Sequence, residues 1–418
     1  MLEVCSVLIA GIVLMLVFGR PKLFARLSVL MAFLLWINSG EHALFTGFFS
    51  YSNQTWFLWG LILALTLAVL FFFKEDKEAI FILLLCCTLG GLLLVASSHF
   101  LSFFLSLELL SLPLYCLCAS SNDKPSAEAG IKYFMMGAFG SATMLFGIAL
   151  FYGVTGSFAM DAVGAGELSI VSVGLIMMGL LFKVGAVPFH FWLPDVYQGS
   201  PMPVTAFMAT VVKVSAVGGL VAVFGNSSFL DNLNRLIGIV SVLSMIVGTL
   251  GAMRQHSIKR LLAFSSILNV GIMLLSFLSK DMGALLFYLT VYSVTSLGIF
   301  SLISKDSLDD LALLAKVDKV LLALFVLSLA GLPPIVASLF GKAMIFISAI
   351  KAGYPGIAIF GLLSAAVAVY YYLRVIRVAW QPASNELSTS NRSVAILSLV
   401  VLILISGAPS VLGSFIFR

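Results

Sequence analysis

Charge is scarce in this sequence: Asp, Glu, Lys and Arg fill only 10% of its 418 positions, while hydrophobic residues fill 61%. Soluble domains carry about a quarter charged and about half apolar residues. The scarcity therefore excludes a water-soluble globule and makes lipid the solvent. Cysteine is sparse as well. Cys5, Cys86, Cys87, Cys116 and Cys118 form no CxxC pair and no Cys/His zinc spacing, which argues against a disulfide framework or iron–sulfur ligation. His42, His99, His190 and His256 are scattered along the chain, which argues against a protein-bound metal. There is no GxGxxG, and Gly341-Lys342 lacks the upstream glycine and the following Ser/Thr of a phosphate loop, so no nucleotide site is expected. The net charge of +5 resides mostly in short connecting segments and does not point to nucleic acid.

What is present is long apolar runs. A spanning helix needs roughly 20 mostly apolar residues, and the sequence offers fourteen such segments: 2–18, 23–39, 56–73, 79–97, 99–120, 128–153, 169–191, 201–225, 232–253, 259–278, 282–304, 317–350, 355–378 and 393–416. The first is not a signal peptide by its flanks, because Glu3 precedes it and Arg20, Lys22 and Arg26 follow. Two segments carry interruptions, Gly185-Ala186-Val187-Pro188 in the seventh and Gly331-Leu332-Pro333-Pro334 in the twelfth. Proline removes a backbone donor and clashes with the preceding turn, so both helices should be discontinuous. In lipid a broken helix is tolerated only where it is buried in protein or lines a wet cavity. Two breaks five segments apart predict an all-α integral membrane protein with two inverted five-helix repeats. The expected division is 1–78 (helices one to three), 79–225 (four to eight), 226–378 (nine to thirteen) and 379–418 (helix fourteen).

Each ion placed at the bilayer centre costs at least about 2.5–3.5 kcal/mol on insertion scales, so each needs a reason. Glu108, Lys183, Lys213 and Lys342 all fall inside apolar segments, with Lys183 just before the first break and Lys342 after the second. Burial and neighbouring charge tune the proton affinity of such groups, so a buried row of them points to proton movement. The competing reading is structural: a buried Lys–Glu pair can simply fix helix register. Glu128 and Lys132, four apart, read either as a helix-end ion pair or as part of the row. His190 reads either as a relay between wet half-channels or as a residue capping the break.

At this point the residues resemble a known family. The run Phe182-Lys183 through Val187-Pro188-Phe189-His190-Phe191-Trp192-Leu193-Pro194-Asp195-Val196-Tyr197-Gln198-Gly199-Ser200-Pro201 resembles the N-type antiporter-like subunits of proton-pumping NADH:quinone oxidoreductase, respiratory complex I. So do Leu107-Glu108-Leu109-Leu110-Ser111-Leu112-Pro113-Leu114-Tyr115, Lys132-Tyr133-Phe134, and Ser257-Ile258-Lys259-Arg260-Leu261-Leu262-Ala263-Phe264-Ser265-Ser266. Sister subunits typically put an acidic or small residue where this chain has Val196-Tyr197-Gln198-Gly199, and the M-type sister usually has glutamate where Lys342 stands. The resemblance implies that Glu108 modulates Lys183, that Lys213 connects the pair towards Lys342, and that Lys342 ends the second half-channel. It also implies that NAD, FMN, iron–sulfur clusters and quinone belong to partner subunits, with none bound by this chain. The implied neighbours are the M-type subunit, small membrane subunits and lipid, in a bacterial inner membrane. A Na⁺/H⁺ antiporter subunit and a scaffold with buried ion pairs are the alternatives.

Positive charge fixes the expected orientation. With an outside N-terminus the inward segments hold fifteen Lys and Arg and the outward segments four, Arg235, Lys280, Lys351 and Arg418. The positive-inside rule then places both termini outward and the 254–260 loop in the cytoplasm. A cysteine placed at Gln255 should resist a membrane-impermeant thiol reagent in intact spheroplasts and react after lysis; labelling before lysis reverses the topology.

Overall fold

The computed structural model describes residues 2–37, 47–74, 76–121, 123–162, 166–225, 229–382 and 391–409. His42, Arg418 and the final residues of the second and fourteenth expected segments lie outside these. The elements are helical: α1 (Leu2–Phe18), α2 (Pro21–Ile37), α3 (Asn53–Val69), α4 (Glu78–Ala96), α5 (Phe100–Cys118), α6 (Lys124–Thr155), α7 (Glu167–Val184), α8 (Trp192–Gly199), α9 (Met202–Phe207), α10 (Lys213–Phe224), α11 (Phe229–Met253), α12 (Ile258–Leu278), α13 (Met282–Leu302), α14 (Lys316–Ala330), α15 (Ala337–Lys351), α16 (Pro355–Ala379) and α17 (Arg392–Gly407). A π-helical turn, Met208–Val212, joins α9 to α10 into one continuous rod. Among the described residues the extended pairing is limited to isolated bridges between loops, such as His99 with Ala159.

Local chemistry sets the ends. Asp123 caps α6 by accepting from Ser126 N at 2.8 Å, Pro125 sits in the first turn where no donor is needed, and Gly156 at φ 68° closes the helix. Ser257 and Asp281 cap α12 and α13 in the same way. Among the described residues nine helices are long and apolar enough to cross a membrane: α4, α5, α6, α7, the rod Met202–Phe224, α11 from Leu233, α12, α13 and α16. Helices α1, α3 and α17 are apolar but shorter. This is a multi-pass, all-helical membrane protein.

The chain divides into two compact units. One comprises Met1–Val184 and Gly199–Leu233, the other Gly185–Gln198 and Asn234–Arg418. In the first, α4 packs on α5, α6 on α7, and the rod's α10 lies against α3, α4 and α7. In the second, α13 is the core helix. All its residues are buried, and α14, α15 and α17 pack around it. A helix apolar all round belongs in the middle of a bundle.

Both expected breaks are present. Helix α7 ends at Val184, and the chain turns through 185–191 before α8 begins; α14 ends at Ala330, and α15 begins at Ala337. Gly185 (φ 76°) and Gly331 (φ 80°) take the left-handed conformation that halts a helix without a Cβ penalty. Each is followed three residues later by a proline in a cis peptide bond, Pro188 and Pro334. Helix α8 was not expected from the sequence, where Trp192–Gly199 reads as a connection. It forms because Trp192, Leu193, Val196 and Tyr197 all reach the interior while Asp195 finds Arg260 at 2.7 Å.

Between apolar helices in lipid, association rests on close packing at small residues. Helices α6 and α7 meet this way: a Cβ at Gly147 would lie 2.8 Å from Ser172 O and 2.9 Å from Ile176 N, both main-chain atoms. Gly153, two turns further along α6, has nothing within 4 Å. Gly147→Ala should therefore force the helices apart and destabilise by about 1–3 kcal/mol, while Gly153→Ala should not. Thermal unfolding of the detergent-solubilised protein checks this, and equal melting of the two variants would refute close packing at Gly147.

Candidate functional site

Lys183 occupies the last turn of α7 and is 4% exposed. Its ammonium donates to the Tyr115 hydroxyl of α5 at 2.9 Å. Aromatic faces surround the charge, with Nζ 5.0 Å from the Tyr115 ring centroid, 5.4 Å from Tyr133 and 5.7 Å from Phe182. Cation–π attraction of this kind offsets part of the lost hydration. Glu108, seven residues before Tyr115 on α5, is half-buried and accepts from Ser141 Oγ of α6 at 2.5 Å. Among the described residues no ion pair joins Glu108 to Lys183. The sequence offered Glu108 as the group that modulates this lysine, and a direct pair would put its carboxylate on the ammonium. A neutral hydroxyl occupies that place, and the glutamate is held by a serine nearby.

The other two lysines share a different device. Lys213, 3% exposed, stands at the junction of the π-turn and α10, and its Nζ donates to Val184 O at 2.7 Å. Lys342, 5% exposed and in α15, donates to Leu329 O at 2.6 Å. Both acceptors lie at the C-terminal end of a half-helix, where the last carbonyls have no intrahelical donor. At the end of α14, Gly331 N bonds Ser328 O and Leu332 N bonds Leu327 O, both at 2.9 Å. These turns leave Leu329 O to Lys342. A helix C-terminus carries about half a negative charge, so a cation there is favoured on two counts. Lys183 and Lys213 thus meet through the main chain of α7, since Lys213 binds the carbonyl of the residue after Lys183. Both lie in the first unit with Glu108, and Lys342 lies in the second.

The remaining candidates separate cleanly. Glu128 and Lys132 form an exposed i, i+4 pair at 2.6 Å, the helix-surface reading. His190 is buried in the turn between α7 and α8, and its carbonyl accepts from Leu193 N at 3.0 Å, so its main chain helps to start α8. The sequence reading missed Tyr115, Ser141 and the two carbonyls. Tyr115 carried a signal, because a position seven residues from Glu108 lies on the same face of a helix. The structure adds Gly137, where a Cβ would collide with the Tyr115 hydroxyl. The sequence reading set Lys259 at the first position of its tenth segment and counted it among the loop cations. It is buried at the start of α12 and donates to Gln198 O at 3.2 Å.

Residues 97–368 match the family described as NADH:quinone oxidoreductase/Mrp antiporter, transmembrane. NADH-quinone oxidoreductase subunit N 1 of Rhizobium meliloti is 39% identical over 310 residues, 68% of this chain and 64% of that protein. The chain thus matches just under two thirds of that relative's length. Subunit N of Rhodospirillum rubrum is 36% identical over 346 residues, 76% of this chain and 71% of that protein. A chain in the structure of respiratory complex I from Thermus thermophilus with bound aureothin superposes with a TM-score of 0.91 at 32% identity, covering 98% of each chain. The chain therefore belongs to the NADH:quinone oxidoreductase/Mrp antiporter membrane family, in its NADH-quinone oxidoreductase subunit N branch.

Proposed function

We propose that this chain is a proton-translocating membrane-arm subunit of NADH:quinone oxidoreductase, moving protons by way of Glu108, Lys183, Lys213 and Lys342 and driven by redox chemistry in other subunits. One observation carries the proposal: Lys183 is buried in an apolar helix against a hydroxyl, without a fixed counter-ion. A purely structural lysine would be expected to sit in an ion pair. Likeness to subunit N relatives supports the redox-driven reading over a Na⁺/H⁺ antiporter subunit. On this reading NAD, FMN, iron–sulfur clusters and quinone are held by partner subunits. The neighbours are the M-type subunit, small membrane subunits and lipid, in a bacterial inner membrane with both termini outward.

The same reading gives fourteen spans with two inverted repeats, at 79–225 and 226–378. Equivalent close contacts support it. Gly90 of α4 lies against the main chain of Leu110 in α5, and Gly248 of α11 lies against the main chain of Leu268 in α12. The same number of residues separates Gly90 from Leu110 as Gly248 from Leu268. The two Gly-x-x-Pro breaks, each opening on a left-handed glycine, are a second match.

The decisive variant is Lys183→Arg. Arginine keeps the positive charge but does not release its proton, its pKa lying above about 12. If Lys183 only balances charge, the variant should work. If it must lose and regain a proton, coupled quinone reduction and proton pumping should fall by roughly a hundredfold or more, the lower range for a lost acid–base group. Glu108→Gln keeps an acceptor for Ser141 and removes the charge, so it should be impaired similarly; Glu108→Asp should be milder. Proton translocation and NADH:quinone reductase activity are measured on membranes with matched complex content. Near-normal pumping by Lys183→Arg would leave the scaffold reading standing.

A further inference from the structure

Lys183, Lys213 and Lys342 differ in what their partners can do. Val184 O and Leu329 O, which receive Lys213 and Lys342, are carbonyl oxygens and can only accept. The Tyr115 hydroxyl, which receives Lys183, has two lone pairs and one hydrogen of its own. We infer that Tyr115 is a reversible partner for Lys183, accepting from its ammonium and donating to its neutral amine. This rests on the reading of Lys183 as a proton carrier.

The step balances without a second charged group. One N–H bond of the ammonium breaks, and the proton leaves to a water molecule while nitrogen keeps the electron pair. The amine rotates about its Cε–Nζ bond to present that pair to Tyr115, whose O–H turns about its C–O bond and donates to it. Tyr115 retains its proton throughout, so no phenolate forms. Proton uptake runs the same steps backwards. An ionised carboxylate in this place could only accept, and the buried amine would be left with an unsatisfied lone pair.

The surroundings suit a hydroxyl that turns while its ring stays still. Tyr115 meets the Tyr133 ring edge-on at 4.7 Å and the Phe134 ring at 5.9 Å. Gly137 of α6 faces the hydroxyl, where any side chain would collide with it. The ring is thus clamped and its oxygen fixed 2.9 Å from Nζ. The hydrogen is the moving part, and its rotation requires no heavy atom to shift. The aromatic faces around Nζ serve the charged state, and the hydroxyl serves both states.

The test separates hydrogen-bond donation from packing. Tyr115→Phe keeps the ring and its cation–π face but removes the hydroxyl. In assembled complex at matched content, coupled turnover and pumping should fall roughly tenfold, equivalent to about 1.4 kcal/mol, which is within the range for an unsatisfied buried group. Incorporation of para-aminophenylalanine at position 115 by codon suppression returns a donor of similar size and should restore most of the activity. Incorporation of para-fluorophenylalanine, which is similar in size but donates nothing, should not; it also replaces Tyr115→Phe should that variant fail to assemble. Near-normal activity with phenylalanine or the fluoro analogue overturns the inference, as does an amino analogue no better than the fluoro. Lys183→Arg is run alongside. Normal pumping there overturns the proton-carrier reading itself, whereas normal pumping by Tyr115→Phe beside an inactive Lys183→Arg overturns only the role of Tyr115.

Discussion

A positive charge inside an apolar bundle has to be given electron density, and in this protein the main chain supplies much of it. An intact helix spends its carbonyls on its own N–H groups, so they come free only where the helix stops. Gly185 and Gly331 stop α7 and α14 inside their spans. The carbonyls of Val184 and Leu329 then receive Lys213 and Lys342. Break and lysine are therefore one feature. Without the break the acceptor would be engaged within its helix. Without the cation, a helix end carrying about half a negative charge would face an apolar interior alone.

The reach of a lysine side chain sets how close the helices must come, and glycine allows the approach. In the first unit a Cβ at Gly140 would lie 3.0 Å from the Phe182 ring, and one at Gly179 would lie 2.7 Å from Met144 Cβ and 3.0 Å from Gly140 O. These contacts hold α6 against α7 at the level of Lys183. On the other side Gly91 of α4 faces Ser215 of α10, two residues after Lys213. Packing and chemistry use the same positions here, so a methyl group added for stability would displace a functional side chain.

The parts legible in the sequence were those with a local physical cause. Glycine followed by proline in an apolar run announced both breaks, and the rarity of charge made Glu108, Lys183, Lys213 and Lys342 conspicuous. What each lysine touches was not legible. The acceptors of Lys213 and Lys342 are main-chain atoms, identical at every residue, and become special only once the helix has ended. Tyr115 read as one more apolar aromatic because its significance depends on how α5 faces α7. Ser141 is one of many serines in apolar helices, and only the structure shows it on Glu108. Helix α8 was missed because eight residues with prolines nearby carry too little periodicity to announce a helix.

Set side by side, the two units divide the chemistry unequally. Counted from the breaking glycine, Leu329 in α14 holds the place that Lys183 holds in α7, each two residues before it. Counted from the close glycine contacts, Ser266 holds the place of Glu108, two residues before Leu268 and Leu110 respectively. The second unit thus has neutral residues where the first has its glutamate and its hydroxyl-bound lysine. What both retain is a lysine docked on the open end of a half-helix, delivered by α10 in the first and by α15 in the second. Lys213 and Lys342 are alike in this contact, although they stand in the eighth and twelfth expected segments and so hold different places in the two repeats. What the fold repeats is the break and its open acceptor, and each unit fills that acceptor with a lysine. The set of Glu108, Ser141, Tyr115 and Lys183 is an addition in the first unit alone, built on α5, α6 and α7 where glycine makes room for it. The hydroxyl at this added site can partner either protonation state of its lysine, while the carbonyls at the two breaks favour the charged one.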